Sequence, residues 1–161
     1  MGQLEPGEST ELVIHYKTYK YPGTFNKYVT VFTGAEGTEE TVIQMVGNVE
    51  PIPMGVIRME PRKTDVGELA VDRENEVQIV LENDGDAALT VSRIVSQKSD
   101  TEYYTARETA GIAIDPGRNA VIKLRVKPEE PGRFLERIVI YSDARNDIGN
   151  GYAGLLSGTA K

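Results

Sequence analysis

The chain has 161 residues, a formal net charge of -7 and no cysteine. The acidic excess holds along the whole length, with seven Asp and Glu against three Lys in residues 1–52 and eighteen against fifteen Lys and Arg in the rest. No basic run exists to neutralise a phosphate backbone, so nucleic acid is a poor partner. Zero cysteine excludes disulfides, thiolate metal sites and thiol chemistry, and no apolar run is long enough to span a bilayer, so direct membrane insertion is not expected.

In chain order the sequence reads as strands throughout. After the turn Glu5-Pro6-Gly7, the residues Leu12, Ile14 and Tyr16 alternate with Val13, His15 and Lys17, the period of a half-buried strand. Pro22-Gly23 closes a turn. The next strand places Phe25, Val29 and Val31 on one face and Tyr28, Thr30 and Phe32 on the other. The glycines of residues 34–37 make a turn, and Thr41 to Val49 forms a third strand that Gly47 should break or bend. Residues 50–55, with two prolines separated by one residue, are a short, stiff, extended link between two parts.

Beyond the link, residues 56–60 restart as a strand and lead through a loop to a second at 75–82, with Val77, Ile79 and Leu81 in phase. Asn83-Asp84-Gly85-Asp86 reads as a turn needing Gly85 at positive φ, followed by a strand from Ala88 to Ser96. The spaced ligands and distal Glu of a calcium loop are missing from it. Residues 97–110 are weakly patterned and read as a crossing between sheets, with Tyr103-Tyr104 as a short strand. Ala120 to Lys127, Arg133 to Ser142 and Gly151 to Thr159 are three longer strands. About seven strands with no helical period predict an all-β, immunoglobulin-like antiparallel β-sandwich.

The C-terminal part of this pattern occurs twice. Leu4-Glu5-Pro6-Gly7 matches Ile114-Asp115-Pro116-Gly117, and Leu12, Ile14 and Tyr16 match Ile122, Leu124 and Val126. Pro22-Gly23 matches Pro131-Gly132, Phe25 matches Phe134, and Val29 and Val31 match Ile138 and Ile140. The copies lie about 110 positions apart, the size of a small domain rather than of a solenoid repeat. The expected organisation is a complete immunoglobulin-like module at residues 53–161, preceded at residues 1–52 by the three-stranded C-terminal half of another whose first half lies upstream.

Catalytic machinery is not apparent. His15 is the single histidine and has no Asp, Ser or Cys pattern beside it in sequence, so a zinc site would need carboxylates almost alone. The acidic residues fall in turns, and no phosphate loop, dinucleotide fingerprint or nucleophile elbow occurs. Catalytic, cofactor and metal residues are therefore all expected to be absent. Tyr16, Tyr19, Tyr21 and Tyr28, with Phe32, gather around one predicted hairpin where the second copy has aliphatic and charged residues, and they are the candidate interface residues. Partial burial inside the sandwich is the competing account of the same residues.

The segments Asn83-Asp84-Gly85-Asp86-Ala87-Ala88-Leu89, Pro116-Gly117 and Gly132, with the closing Gly-Leu-Leu-Ser-Gly, carry a resemblance. The part from Gly55 onward resembles the Hydin-like immunoglobulin-like domains, related in shape to major sperm protein. It looks closest to an uncharacterised bacterial group in which an N-x-G-x-x-x-L turn precedes a Cys-Gly-Cys motif. That motif is unmatched here, since Val95-Ser96-Gln97-Lys98 follows Ile94. The resemblance implies the sandwich fold and an exported protein of the periplasm or cell surface. The resulting expectation is a non-enzymatic structural or protein-binding module of a longer protein, with a protein partner and self-association through residues 4–49. The alternative is carbohydrate or small-ligand binding by loops at one end of the sandwich.

Overall fold

The computed structural model describes residues 4–34, 37–106 and 111–161, and the chain divides into two compact units, Met1–Pro51 and Ile52–Lys161. Ala35-Glu36 of the glycine turn and residues 107–110 of the weakly patterned stretch lie outside the described residues.

Among its described residues the first unit holds two strands, β1 (Gly23–Thr33) and β2 (Glu39–Val49), paired antiparallel along their whole length from Gly23↔Val49 to Thr33↔Glu39. The alternation of sequence is kept. Phe25, Val29 and Val31 share one face with Ile43 and Met45, while Tyr28, Thr30 and Phe32 share the other with Val42, Gln44 and Val46. Two expectations are corrected. The strand expected over Leu12 to Tyr16 does not form, leaving a two-stranded rather than three-stranded sheet. Its counterpart in sequence, Ile122 to Val126, obtains its ladder from residues 75–79, and no such neighbour is present among the described residues of the first unit. Gly47 does not break β2 either. It stands opposite Phe25, and a Cβ there would lie 2.7 Å from two ring carbons, so the glycine makes room for the ring.

The second unit contains nine strands among its described residues. β3 (Ile57–Met59), β5 (Asn75–Asn83) and β9 (Asn119–Val126) make one antiparallel sheet in the order β3-β5-β9. β4 (Lys63–Leu69), β11 (Tyr152–Ala160), β10 (Gly132–Ser142), β6 (Leu89–Ser96) and β7 (Glu102–Thr105) follow one another in the other, with β8 (Ile112–Ile114) also on β6. Ile79, Leu81, Ile122 and Leu124 of the smaller sheet meet Ile94, Ile138, Ile140 and Leu156 of the larger, each at most 1% exposed. Burying one such side chain stabilises the fold by roughly 1.5–3 kcal/mol, so this aliphatic layer replaces the disulfide and tryptophan that other sandwiches use.

Three local readings change. Residues 63–69, expected as loop, form β4 and pair with β11 in parallel, the one parallel pairing among the described strands. Residues 84–88 carry the chain from one sheet to the other rather than closing a hairpin, because β5 and β6 belong to different sheets. Conversely, residues 97–101 make a tight connection within one sheet, since β7 returns along β6 through Ile94↔Tyr104. The Ser96 hydroxyl accepts from the Lys98 and Ser99 amides at 3.1 and 3.0 Å and fixes that turn.

Candidate functional surfaces

The acidic turn and the long last loop, the places where a ligand-binding end would be sought, are consumed by the architecture. Asn83 is fully buried at the end of β5. Its Oδ1 accepts from the Val56 and Gly85 amides at 3.0 and 2.9 Å, and its Nδ2 donates to the Ala87 and Ile114 carbonyls, both at 2.8 Å. All four bonding directions of the amide are thereby used. Asp86 accepts from the Met54 amide at 2.7 Å. Gly85 does not have the positive φ expected of it. It is required because a Cβ would collide with the backbone of residues 54–56.

The loop between β10 and β11 behaves in the same way. Asp147, 4% exposed, accepts from the Ser142, Gly149 and Gly151 amides at 2.9–3.0 Å. Asp143 accepts from the Thr90 amide at 2.7 Å, and the Asn146 side chain bonds both the amide and the carbonyl of Ile57. These groups stitch the loop to three strands and leave little free hydrogen-bonding capacity for a sugar or other small ligand. The residues of the N-x-G-x-x-x-L signature, Asn83, Gly85 and the fully buried Leu89, are architectural for the same reason.

On the smaller sheet, Arg58 gathers three carboxylates. Its Nε donates to Asp84 at 2.7 Å, Nη1 to Glu60 at 2.6 Å and Nη2 to Glu82. The bond to Asp84 moves the guanidinium further above its ordinary value, desolvation opposes, and the charges of Asp84, Glu82 and Glu60 add to the rise. The cluster is largely exposed and keeps a formal charge of about -2, one cation against three carboxylates, which marks it as surface pairing. Among the described residues no three His, Asp or Glu side chains gather so as to hold a metal ion.

Two grooves open on the second unit. The larger, about 1130 Å³, runs past β7, β9 and β10 and is lined by five Lys or Arg and five Glu, so it presents no net sign. Tyr103 stands in it with its pKa pushed up to about 12, by burial first and by the charge of Glu136 next, against a hydrogen bond with Ser96 that lowers it. The hydroxyl is thus a donor at neutral pH and not a base. The smaller groove, about 330 Å³, is lined by Arg62, Lys63, Arg137, Ala153, Gly154 and Leu155, with no carboxylate among them.

The five interface candidates do not form one cluster. Tyr28 and Phe32 project from the same face of β1 and are 63% and 60% exposed, beside Val42 and Val46 on β2. The Tyr28 hydroxyl accepts from Gln44 Nε2 at 3.2 Å. Tyr16 lies on the opposite face, where its ring tilts against Phe25 with centroids 4.9 Å apart and Lys27 stands over it. Tyr19 sits inside a turn that Tyr21 closes, the Tyr21 amide donating to the Thr18 carbonyl. Val42 and Val46 were missed by sequence reasoning, although their alternation with Ile43 and Met45 carried the signal.

No family model and no curated protein matches this sequence. Among solved structures, the ASH/PapD-like domain of human CEP192 (PapD-like domain 7) is similar at 12% identity and a TM-score of 0.43, covering 73% of this chain and 93% of that one. The CARDB domain of the PF1109 protein from Pyrococcus furiosus, solved in complex with di-metal ions, is 12% identical with a TM-score of 0.43, covering 65% of this chain and 89% of its own. A protein of unknown function from Porphyromonas gingivalis W83 is 15% identical with a TM-score of 0.44, covering 87% of this chain and 66% of its own. The class this chain's own sheets define is an immunoglobulin-like β-sandwich.

Proposed function

We propose that the chain is a non-enzymatic protein-binding module of the Hydin-like, major-sperm-protein-like class, in which residues 4–49 are the second half of a sandwich that is completed by another polypeptide segment. The observation that carries this reading is the hairpin β1–β2. It holds a single pairing, β1 with β2, and leaves both outer edges without a described strand, whereas β10 and β11, which match it in sequence, are flanked by β6 and β4. A hairpin alone is marginal in water, and free edges are templates for pairing. Tyr28, Phe32, Val42 and Val46 add an exposed apolar patch on its outward face.

In a solution of this chain alone, the segment available to complete the hairpin is a second copy, so self-association through residues 4–49 is the expected behaviour. The exported, periplasmic or cell-surface setting belongs to the same proposal and is supported by the sequence resemblance. Light scattering coupled to size exclusion at micromolar concentration tests it. A mass of twice 17.7 kDa is expected. A species that remains at the single-chain mass, with the β1 and β2 amides protected from exchange, would overturn it.

A further inference from the structure

The outer face of the larger sheet carries a row of side chains fixed by register. Lys63 on β4 stands opposite Leu155 on β11, and Leu155 stands opposite Arg137 on β10. Neighbouring strands are about 4.8 Å apart, so the two cations rise on either side of Leu155 from backbones about 10 Å apart, within reach of one oxyanion seated between them. Arg62 closes the end of the row. Its Nε donates to the Ala153 carbonyl at 3.3 Å, its guanidinium lies 5.8 Å from the centre of the Tyr152 ring, and its own carbonyl accepts from the Leu155 amide at 3.0 Å. The cation is thereby oriented before anything binds.

Charge sets this groove apart from the larger one. The chain is acidic overall, Arg58, Lys123, Arg145 and Lys161 each pair with described carboxylates, and the larger groove is balanced. No carboxylate is paired with Arg62, Lys63 or Arg137 among the described residues, and none lines their groove. We propose that this groove is a binding site for an acidic side chain of an extended partner polypeptide. The carboxylate would sit between Lys63 and Arg137, and an aliphatic neighbour would lie on Ala153 and Leu155. About 330 Å³ is at the bottom of the range for ligand pockets and suits a side chain rather than a whole cofactor. Three cations are too few to hold a nucleic-acid backbone, whose specific binders neutralise roughly 6–10 phosphates. The guanidinium forks of Arg62 and Arg137 match the planar carboxylate in two-point bonding.

The assignment rests on the protein-binding reading, but it concerns the second unit and not the hairpin, so the mass measurement and the following test fail independently. The amide spectrum of the full chain is followed by NMR during titration with the peptide acetyl-Ala-Leu-Glu-Leu-Ala-amide, with its Gln counterpart, and with inorganic phosphate. Saturable shifts of the Lys63, Arg137, Ala153 and Leu155 amides with the Glu peptide alone are the expected result. Each of Lys63→Ala and Arg137→Ala should weaken binding roughly two- to fivefold, the range of exposed ion pairs, and the double reversal Lys63→Glu with Arg137→Glu should abolish it. Equal shifts with the Gln peptide, or none, would overturn the proposal. So would phosphate binding as tightly at the same amides, which would leave a bare anion site, or movement of these amides with protein concentration alone, which would assign the groove to a second copy.

Discussion

Phe25 stands directly across the first hairpin from Gly47, and the ring occupies the space that a side chain at 47 would fill. Phe134 stands in the same way across from Gly158 in the second. The glycines nevertheless differ in what surrounds them. At Gly47 the nearest atoms are the far end of a half-exposed ring, which can swing outward. At Gly158 and Gly85 backbone atoms are in the way.

That difference orders three substitutions. Gly47→Ala should change stability by less than about 1 kcal/mol, because the ring shift offsets the strand propensity gained over glycine. Gly85→Ala and Gly158→Ala force backbone apart and should cost about 1–3 kcal/mol or more. Urea midpoints at constant m-value check the order, and a Gly47→Ala cost equal to that of Gly85→Ala would refute it.

Asn83 supports a second prediction. Its replacement by Ala leaves the Val56 and Gly85 amides and the Ala87 and Ile114 carbonyls without their partner, in a site that is fully buried. One buried unsatisfied group costs about 1–3 kcal/mol, and water admitted to the cavity will relieve some of them, so a loss of about 3 kcal/mol is expected. The exchange protection of Val56 should fall with it. A loss below about 1 kcal/mol would show that the turn holds by its backbone alone.

These two sites also indicate what was legible in the sequence. The alternation of Val77, Ile79 and Leu81, and of Ile122, Leu124 and Val126, announces half-buried strands wherever it occurs, so the sandwich is readable. Lys63–Leu69 is different. Gly67 sits there at a φ of 70°, the register slips opposite Ser157 and Gly158, and only Val66 and Leu69 are large and apolar. It is a strand because β11, nearly a hundred residues later, offers it an edge. The reverse holds for Leu12 to Tyr16, where alternation is good but no described edge is offered. Asn83-Asp84-Gly85 has the composition of a hairpin turn, and only the inward rotation of Asn83 onto Val56 and Ile114 makes it a sheet crossing. The tyrosines were legible as an interface or as partly buried residues, while the projection of Tyr28 from one face of β1 and the packing of Tyr16 on Phe25 of the other follow from register and packing.

A pH dependence follows from Tyr103. Its folded pKa is raised to about 12, so between the ordinary value near 10 and that point the unfolded chain loses a proton that the folded chain keeps. The folded state then binds more protons, and stability must fall as pH rises through this window. Below pH 10 this group contributes no slope. Tyr103→Phe should flatten the decline in melting temperature between pH 10 and 12 relative to the parent. Identical profiles for the two proteins would show that Tyr103 ionises as freely as in the unfolded chain.

The last prediction concerns which face of the hairpin makes contact. Phe25, Val29, Val31 and Met45 point to one side and are only partly exposed, Ile43 beside them is 37% exposed, and Tyr16 from the preceding segment packs on Phe25. Tyr28, Phe32, Val42 and Val46 point to the other and are 58–67% exposed. The side facing Tyr16 therefore has cover of its own, and the outward patch has more apolar area left to bury. Removing a large apolar side chain from an interface centre typically costs about 2 kcal/mol or more, a factor of about thirty in the association constant. Phe32→Ser should thus shift the concentration for half-association by at least tenfold, and Phe32→Ser with Val42→Ser should give a single-chain mass at micromolar concentration. Both positions are exposed, so the melting temperature of the second unit should not move. Phe25→Ser removes a contact with Tyr16 instead and should loosen the hairpin, seen as faster exchange of the β1 and β2 amides. If Phe32→Ser leaves association intact while Val31→Ser on the opposite face abolishes it, the contact lies on the inner face and the outward patch is ordinary exposed surface.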